Sequence, residues 1–86
     1  ESSEKYELQV LANTDSLKVY GKMRELEAGG YPSKITTISR DGITYYRLRL
    51  QETFSLERGK QTGEALKQQF EFIRDYWLEK VKKPRN

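Results

Sequence analysis

The stretch Thr44-Tyr45-Tyr46-Arg47-Leu48-Arg49-Leu50-Gln51-Glu52-Thr53-Phe54 decides the fold, because it opens with the strict alternation of a half-buried β-strand. Read with period two, Tyr46, Leu48 and Leu50 fall on one face, and Tyr45, Arg47, Arg49 and Gln51 on the other. The first set reads as core. The second reads either as a solvated outer surface or as a holder of something planar, polar or anionic.

Working outward, Arg40-Asp41-Gly42-Ile43 carries the Asp-Gly pair favoured in tight hairpin turns. Lys34–Ser39 before it is rich in β-branched residues, so it is predicted to fold back antiparallel onto Thr44–Phe54. Further upstream, Tyr6–Leu11 alternates Tyr6, Leu8 and Val10 against Glu7, Gln9 and Leu11, which predicts a first strand. Asn13 to Ser16 supplies N-cap residues, and Leu17, Tyr20, Met23 or Arg24, and Glu27 follow at helical spacing with Leu26 nearby. A helix from about Ser16 to Ala28 is expected, ended by Gly29-Gly30.

Downstream, Ser55 caps a second helix whose stripe is Gly59, Gly63 or Thr62, Leu66, Phe70 and Ile73. Each glycine costs about 1 kcal/mol relative to alanine in a helix, so the pair suggests close packing against the sheet. Asp75–Val81 reads either as more helix or as a fourth strand, and the strand is the reading adopted. The order is then β-α-β-β-α-β, an α+β, ferredoxin-like (RNP-like) two-layer sandwich with a four-stranded antiparallel sheet and both helices on one face. Gln9, Tyr45, Arg47 and Arg49 alternate outward onto the open face.

Composition sets the bounds. The 86 residues make one domain able to bury roughly 60 to 65% of its unfolded surface. Hydrophobic residues at 35%, charged at 34% and aromatic at 12% indicate a globular domain with a thin core, and no apolar run reaches membrane-spanning length. Residues 1–5 read as a linker remnant, 6–82 as the domain and 83–86 as a solvated tail, so the whole looks like a module of a longer protein. A formal net charge of +3 permits an anionic partner without requiring one. Absence of cysteine and histidine removes thiolate chemistry, the commonest general base and the commonest metal ligand, so no metal, cofactor or catalytic residue is expected. Monomer is the expected state.

Taken together, Tyr6–Leu11, Leu26-Glu-Ala-Gly-Gly-Tyr31, Ser33-Lys-Ile-Thr-Thr37, Tyr45-Tyr-Arg-Leu-Arg-Leu50 leading to Phe54-Ser55, and Leu66-Lys67 resemble the SPOR (sporulation-related repeat) family from about Tyr6 to Lys82. The resemblance implies a bacterial cell-envelope or periplasmic module that binds septal peptidoglycan, preferring glycan strands stripped of stem peptides, through the open sheet face. It places the family's strand-one glutamine on Gln9, its strand-three aromatic on Tyr45 and the following arginine on Arg47. Muramic carboxylates would suit Arg47 or Arg49, and the family's fourth-strand site residue falls on Trp77 or Leu78. Departures stand at Leu11-Ala12, where the family often has Gly-Ser, and at Gln51, which replaces a glycine.

The plainer readings are a surface glutamine at Gln9, a cation-π contact between Tyr45 and Arg47, a solvated Arg49 and a Trp77 used in packing. Other functions the fold allows are an RNA-recognition-like nucleic-acid module and a protein-interaction domain. Strand three lacks the glycine-and-aromatic run of RNA-recognition motifs, which makes nucleic acid the weaker reading. A glycosidase would need two carboxylates roughly 5 to 10 Å apart; Glu52, Glu57, Asp41 and Asp75 are scattered over turns and helix starts, so binding without catalysis is expected.

Overall fold

The computed structural model describes residues 4–82. The proposed tail 83–86 and the first three residues of the proposed linker lie outside that range. Strand β1 is Tyr6–Asn13, helix α1 Ser16–Ala28, β2 Ser33–Arg40, β3 Ile43–Phe54, helix α2 Leu56–Gln69 and β4 Trp77–Lys80. All strand pairs are antiparallel and the sheet order is β2-β3-β1-β4. Each helix therefore joins two strands that flank a third. Leu8, Val10, Leu48, Leu50 and Phe54 from the strands meet Val19 of α1, Leu66 of α2 and Ile73 in one buried cluster. No helix among the described residues is long and apolar enough to cross a membrane.

The hairpin follows from two residues. Asp41 (φ 56°) and Gly42 (φ 78°) both take positive φ, the conformation of a type I′ turn, whose twist matches that of the strands it joins. The turn fixes Arg40 opposite Ile43 and, counting back, Thr36 opposite Arg47 and Lys34 opposite Arg49. Helix α1 starts at Asp15, whose carboxylate accepts from the amides of Leu17 (3.1 Å) and Lys18 (3.3 Å). It stops in a Schellman arrangement: the Tyr31 amide donates to the Leu26 carbonyl and Gly30 to that of Glu27, with Gly30 at φ 97°.

Three local expectations differ from the structure. In α1 the buried residues are Val19 and Leu26, with Met23 packed beside them, whereas Leu17 is 81% exposed. The apolar stripe runs through Val19, Met23 and Leu26, out of phase with the Leu17-Tyr20 stripe expected. In β1 the register against β3 shifts on both sides of Gln9, so Leu11 pairs with Leu48 and packs on the core side, next to Val10. This bulge breaks the simple alternation. Helix α2 ends at Gln69, because Phe70 is already extended at φ −118°, ψ 117°; Phe70 and Ile73 reach the core from the connection that follows.

The glycines of α2 pack as expected, against the β4 region. A Cβ at Gly63 would lie 2.5–2.7 Å from the root of the Tyr76 ring, and one at Gly59 would lie 2.5 Å from Leu78 Cδ2. The Tyr76 ring is pinned at both ends, since its hydroxyl donates to Glu64 (3.2 Å). Leu78 contacts Gly59 only through its flexible tip. Sheet bonding also reaches past β1, the Val81 amide donating to the Lys5 carbonyl at 2.8 Å.

Alanine at Gly63 gains about 1 kcal/mol of helix propensity but meets an overpacking cost of about 1–3 kcal/mol. Gly63→Ala is therefore expected to lower stability and Gly59→Ala to leave it within about 0.5 kcal/mol of wild type in urea unfolding. A Gly63→Ala domain as stable as wild type would contradict the packing described.

Candidate functional site

Residues paired across antiparallel strands stand on the same side of a sheet, and on the face away from the helices they form rows. One row crosses all four strands: Lys34 on β2, Arg49 on β3, Gln9 on β1 and Trp77 on β4. The next holds Thr36, Arg47 and Ala12, and beyond it Ile38 stands beside Tyr45. On the other side of the long row Glu7 pairs with Glu79. Gln9, Tyr45, Arg47, Arg49 and Trp77 thus come together on one surface.

Arg49 is not a solvated outer residue. It is only 6% exposed, because its side chain lies across the sheet under its neighbours. Its Nε donates to Gln9 Oε1 (3.0 Å), one terminal nitrogen to Glu7 Oε1 (2.7 Å) and the other to Glu79 Oε1. Lys34 Nζ completes the cluster by donating to Glu7 Oε2 at 2.6 Å. A charge this buried requires partners of opposite sign, and here Arg49 and Lys34 are balanced by Glu7 and Glu79. The hydrogen bond from Lys34 holds the Glu7 carboxyl below its ordinary range; desolvation opposes this, and the bond from Arg49 reinforces it.

Arg47 differs. Its Nε donates to Thr36 Oγ1 at 3.2 Å, and it forms no ion pair among the described residues. It is half-buried, leaving an uncompensated guanidinium in the middle of the face. Trp77 is 52% exposed. Its register with Gln9 sends the ring outward while Leu78, one residue on, turns inward to Gly59, which distinguishes the two fourth-strand candidates and places Trp77 outside the packing. Ala12 is exposed beside Arg47, so no hydroxyl stands there. Gln51 serves the backbone, donating through Nε2 to the Ser33 carbonyl (3.0 Å).

Beyond Trp77 a groove of about 890 Å³ opens between the end of β1 and the α2–β4 connection, with Lys18, Lys22, Phe70, Phe72 and Arg74 among its walls. Lys34, Thr36 and Glu79 complete the surface and were absent from the residues singled out in the sequence. The first two follow from the Asp41-Gly42 turn once its register is counted back. Glu79 follows only from the β1–β4 register.

Chemically the face offers an aromatic ring, amide and guanidinium donors, and carboxylates already committed to cations. No group of three or more metal-ligating side chains occurs among the described residues.

Because Glu7 titrates lower folded than unfolded, its pairing adds stability that is present above pH 4.5 and is lost as pH falls through its folded value. The stability difference between wild type and Glu7→Gln is therefore expected to narrow on acidification below 4.5, read by thermal unfolding at a series of pH values. A difference independent of pH would contradict the pairing.

No protein-family profile and no curated protein matches this chain. Among solved structures it is similar to the RlpA SPOR domain from Pseudomonas aeruginosa, with a TM-score of 0.68 and 18% identity over 91% of this chain and 99% of that one. It is also similar to the peptidoglycan binding domain of the B. subtilis cell wall lytic enzyme CwlC, with a TM-score of 0.61 and 20% identity over 95% of both chains. At such identities the likeness is one of fold: the chain has the fold of a SPOR domain.

Proposed function

We propose that this domain binds bacterial peptidoglycan without cleaving it, taking glycan strands stripped of their stem peptides along the open sheet face. In that role it targets a larger envelope protein to the septum or to remodelled wall. The observation that carries the reading is the long row itself, which sets the exposed Trp77 ring beside the Gln9 amide, one row from the uncompensated Arg47. N-acetylated sugars offer apolar faces to Trp77 and Tyr45, and hydroxyls and amides to Gln9. Where stem peptides are gone, each muramic residue exposes a carboxylate, and Arg47 is the cation that would donate to one.

Two further points support it. One structural neighbour is a SPOR domain and the other a peptidoglycan binding domain of a wall lytic enzyme. The charge pattern argues for a glycan over a polyphosphate, since Glu7 and Glu79 neutralise cations that an RNA-binding face would leave free. It argues equally for binding over hydrolysis. A glycosidase acid needs its pKa raised, whereas Glu7 is held low.

Pull-down with purified sacculi tests this, before and after amidase removal of the stem peptides and at low and high salt. Retention is expected to rise after amidase treatment, to survive salt, and to fall about ten-fold or more in Arg47→Ala, the scale of a hydrogen bond between charged groups. Trp77→Ala is expected to weaken it several-fold. Failure to bind either form of the wall, or release of reducing ends, would overturn the proposal. Retention that falls steeply with rising salt would point to a polyphosphate instead.

A further inference from the structure

Gln9 is the one neutral partner of the Arg49 guanidinium, and that contact has a direction. Arginine carries five N–H donors and no acceptor. The atom facing Arg49 Nε at 3.0 Å must therefore be the carbonyl oxygen of the Gln9 amide, whichever way the side chain is drawn. The Gln9 NH₂ group then points away from Arg49, and it makes no hydrogen bond among the described residues. Arg49 is in turn fixed by Glu7 and Glu79, and Glu7 by Lys34. A chain of charged contacts from β2 to β4 thus ends in one neutral amide whose orientation it dictates.

We infer that Arg49 is a positioning residue that locks the Gln9 amide with its NH₂ outward, making the centre of the face a hydrogen-bond donor selective for acceptor groups. The inference rests on the glycan-binding reading for its ligand, and its class is narrower than that reading: sugar oxygens, N-acetyl carbonyls and carboxylates. Arg49 touches no ligand. At 6% exposure, with three nitrogens engaged, it acts through Gln9 alone.

Two measurements test it. In NMR of the wild-type domain, the Gln9 side-chain NH₂ is expected to be ordered, with S² near the rigid range of about 0.85, while that of exposed Gln61 falls below about 0.6. Arg49→Lys, which keeps a cation between the two carboxylates, is expected to lower the Gln9 value toward that of Gln61. This readout requires neither glycan nor binding, so it separates failure of the inference from failure of the proposed function. A Gln9 amide as mobile as Gln61 in the wild type would overturn the inference outright. With amidase-treated sacculi, Arg49→Lys is expected to weaken binding about ten-fold in the wild-type background and to have no further effect in Gln9→Ala. Additive losses in the double variant would show that Arg49 is merely a strand staple. Gln9→Glu, which keeps an oxygen for Arg49 but removes the NH₂, is expected to lose affinity as Gln9→Ala does; retained affinity would contradict the donor role.

Discussion

A guanidinium shielded from water on an otherwise open sheet is the constraint from which the surface follows. Arg49 sits on β3 but is satisfied by Glu7 and Gln9 on β1 and by Glu79 on β4, so its partners tie three strands together. Strand β4 is only four residues long and pairs with a single neighbour, which is little to hold an edge. It is secured from both sides instead. Glu79 engages the charged cluster on the open face, and Leu78 and Tyr76 enter the notches left by Gly59 and Gly63 on the helical face. The outward position of Trp77 is the consequence, because a strand that turns Leu78 inward and sets Trp77 opposite Gln9 has nowhere else to send the indole.

The same arrangement separates the cations of the face by role. Arg49 and Lys34 are spent on structure, each facing a carboxylate, and Arg47 stands without one among the described residues. With Arg49 and Lys34 neutralised, the described face keeps the Arg47 guanidinium and much local hydrogen-bonding capacity. That combination suits a polymer of neutral sugars with a regularly spaced carboxylate better than a continuous line of phosphates. The fold alone does not decide between them, because the βαββαβ layout serves both. The charge pairing on the sheet is what supports the proposed glycan.

Much of this was legible in the sequence, and the illegible part has physical causes. The Asp41-Gly42 turn is local chemistry, so the hairpin, its register and the shared face of Tyr45, Arg47 and Arg49 could be read from Thr44–Phe54 and its neighbours. The α+β order and the fourth strand also followed. What did not follow depends on contacts between distant segments. The bulge beside Gln9, which turns Leu11 to the core, is set by pairing with β3 and leaves no mark on the alternation. The burial of Arg49 needs Glu79, thirty residues away in sequence, and no pattern in β3 announces it. The α1 stripe was misphased because Leu17 is apolar yet exposed, while Val19, one of its two buried residues, lies between the spacings read. Trp77 could be turned outward only by a register between β1 and β4, and Phe70 and Ile73 extended the α2 periodicity although the backbone had already left the helix.

The most direct test of the account is a titration of the isotope-labelled domain with a defined, peptide-free glycan oligosaccharide, followed by backbone and side-chain NMR shifts. The account expects perturbations centred on Gln9, Ala12, Tyr45, Arg47 and the Trp77 indole, with the helical face unmoved. Shifts concentrated on α1 or α2, or no saturable shifts at any accessible concentration, would contradict the claim that the open sheet is a glycan-binding surface.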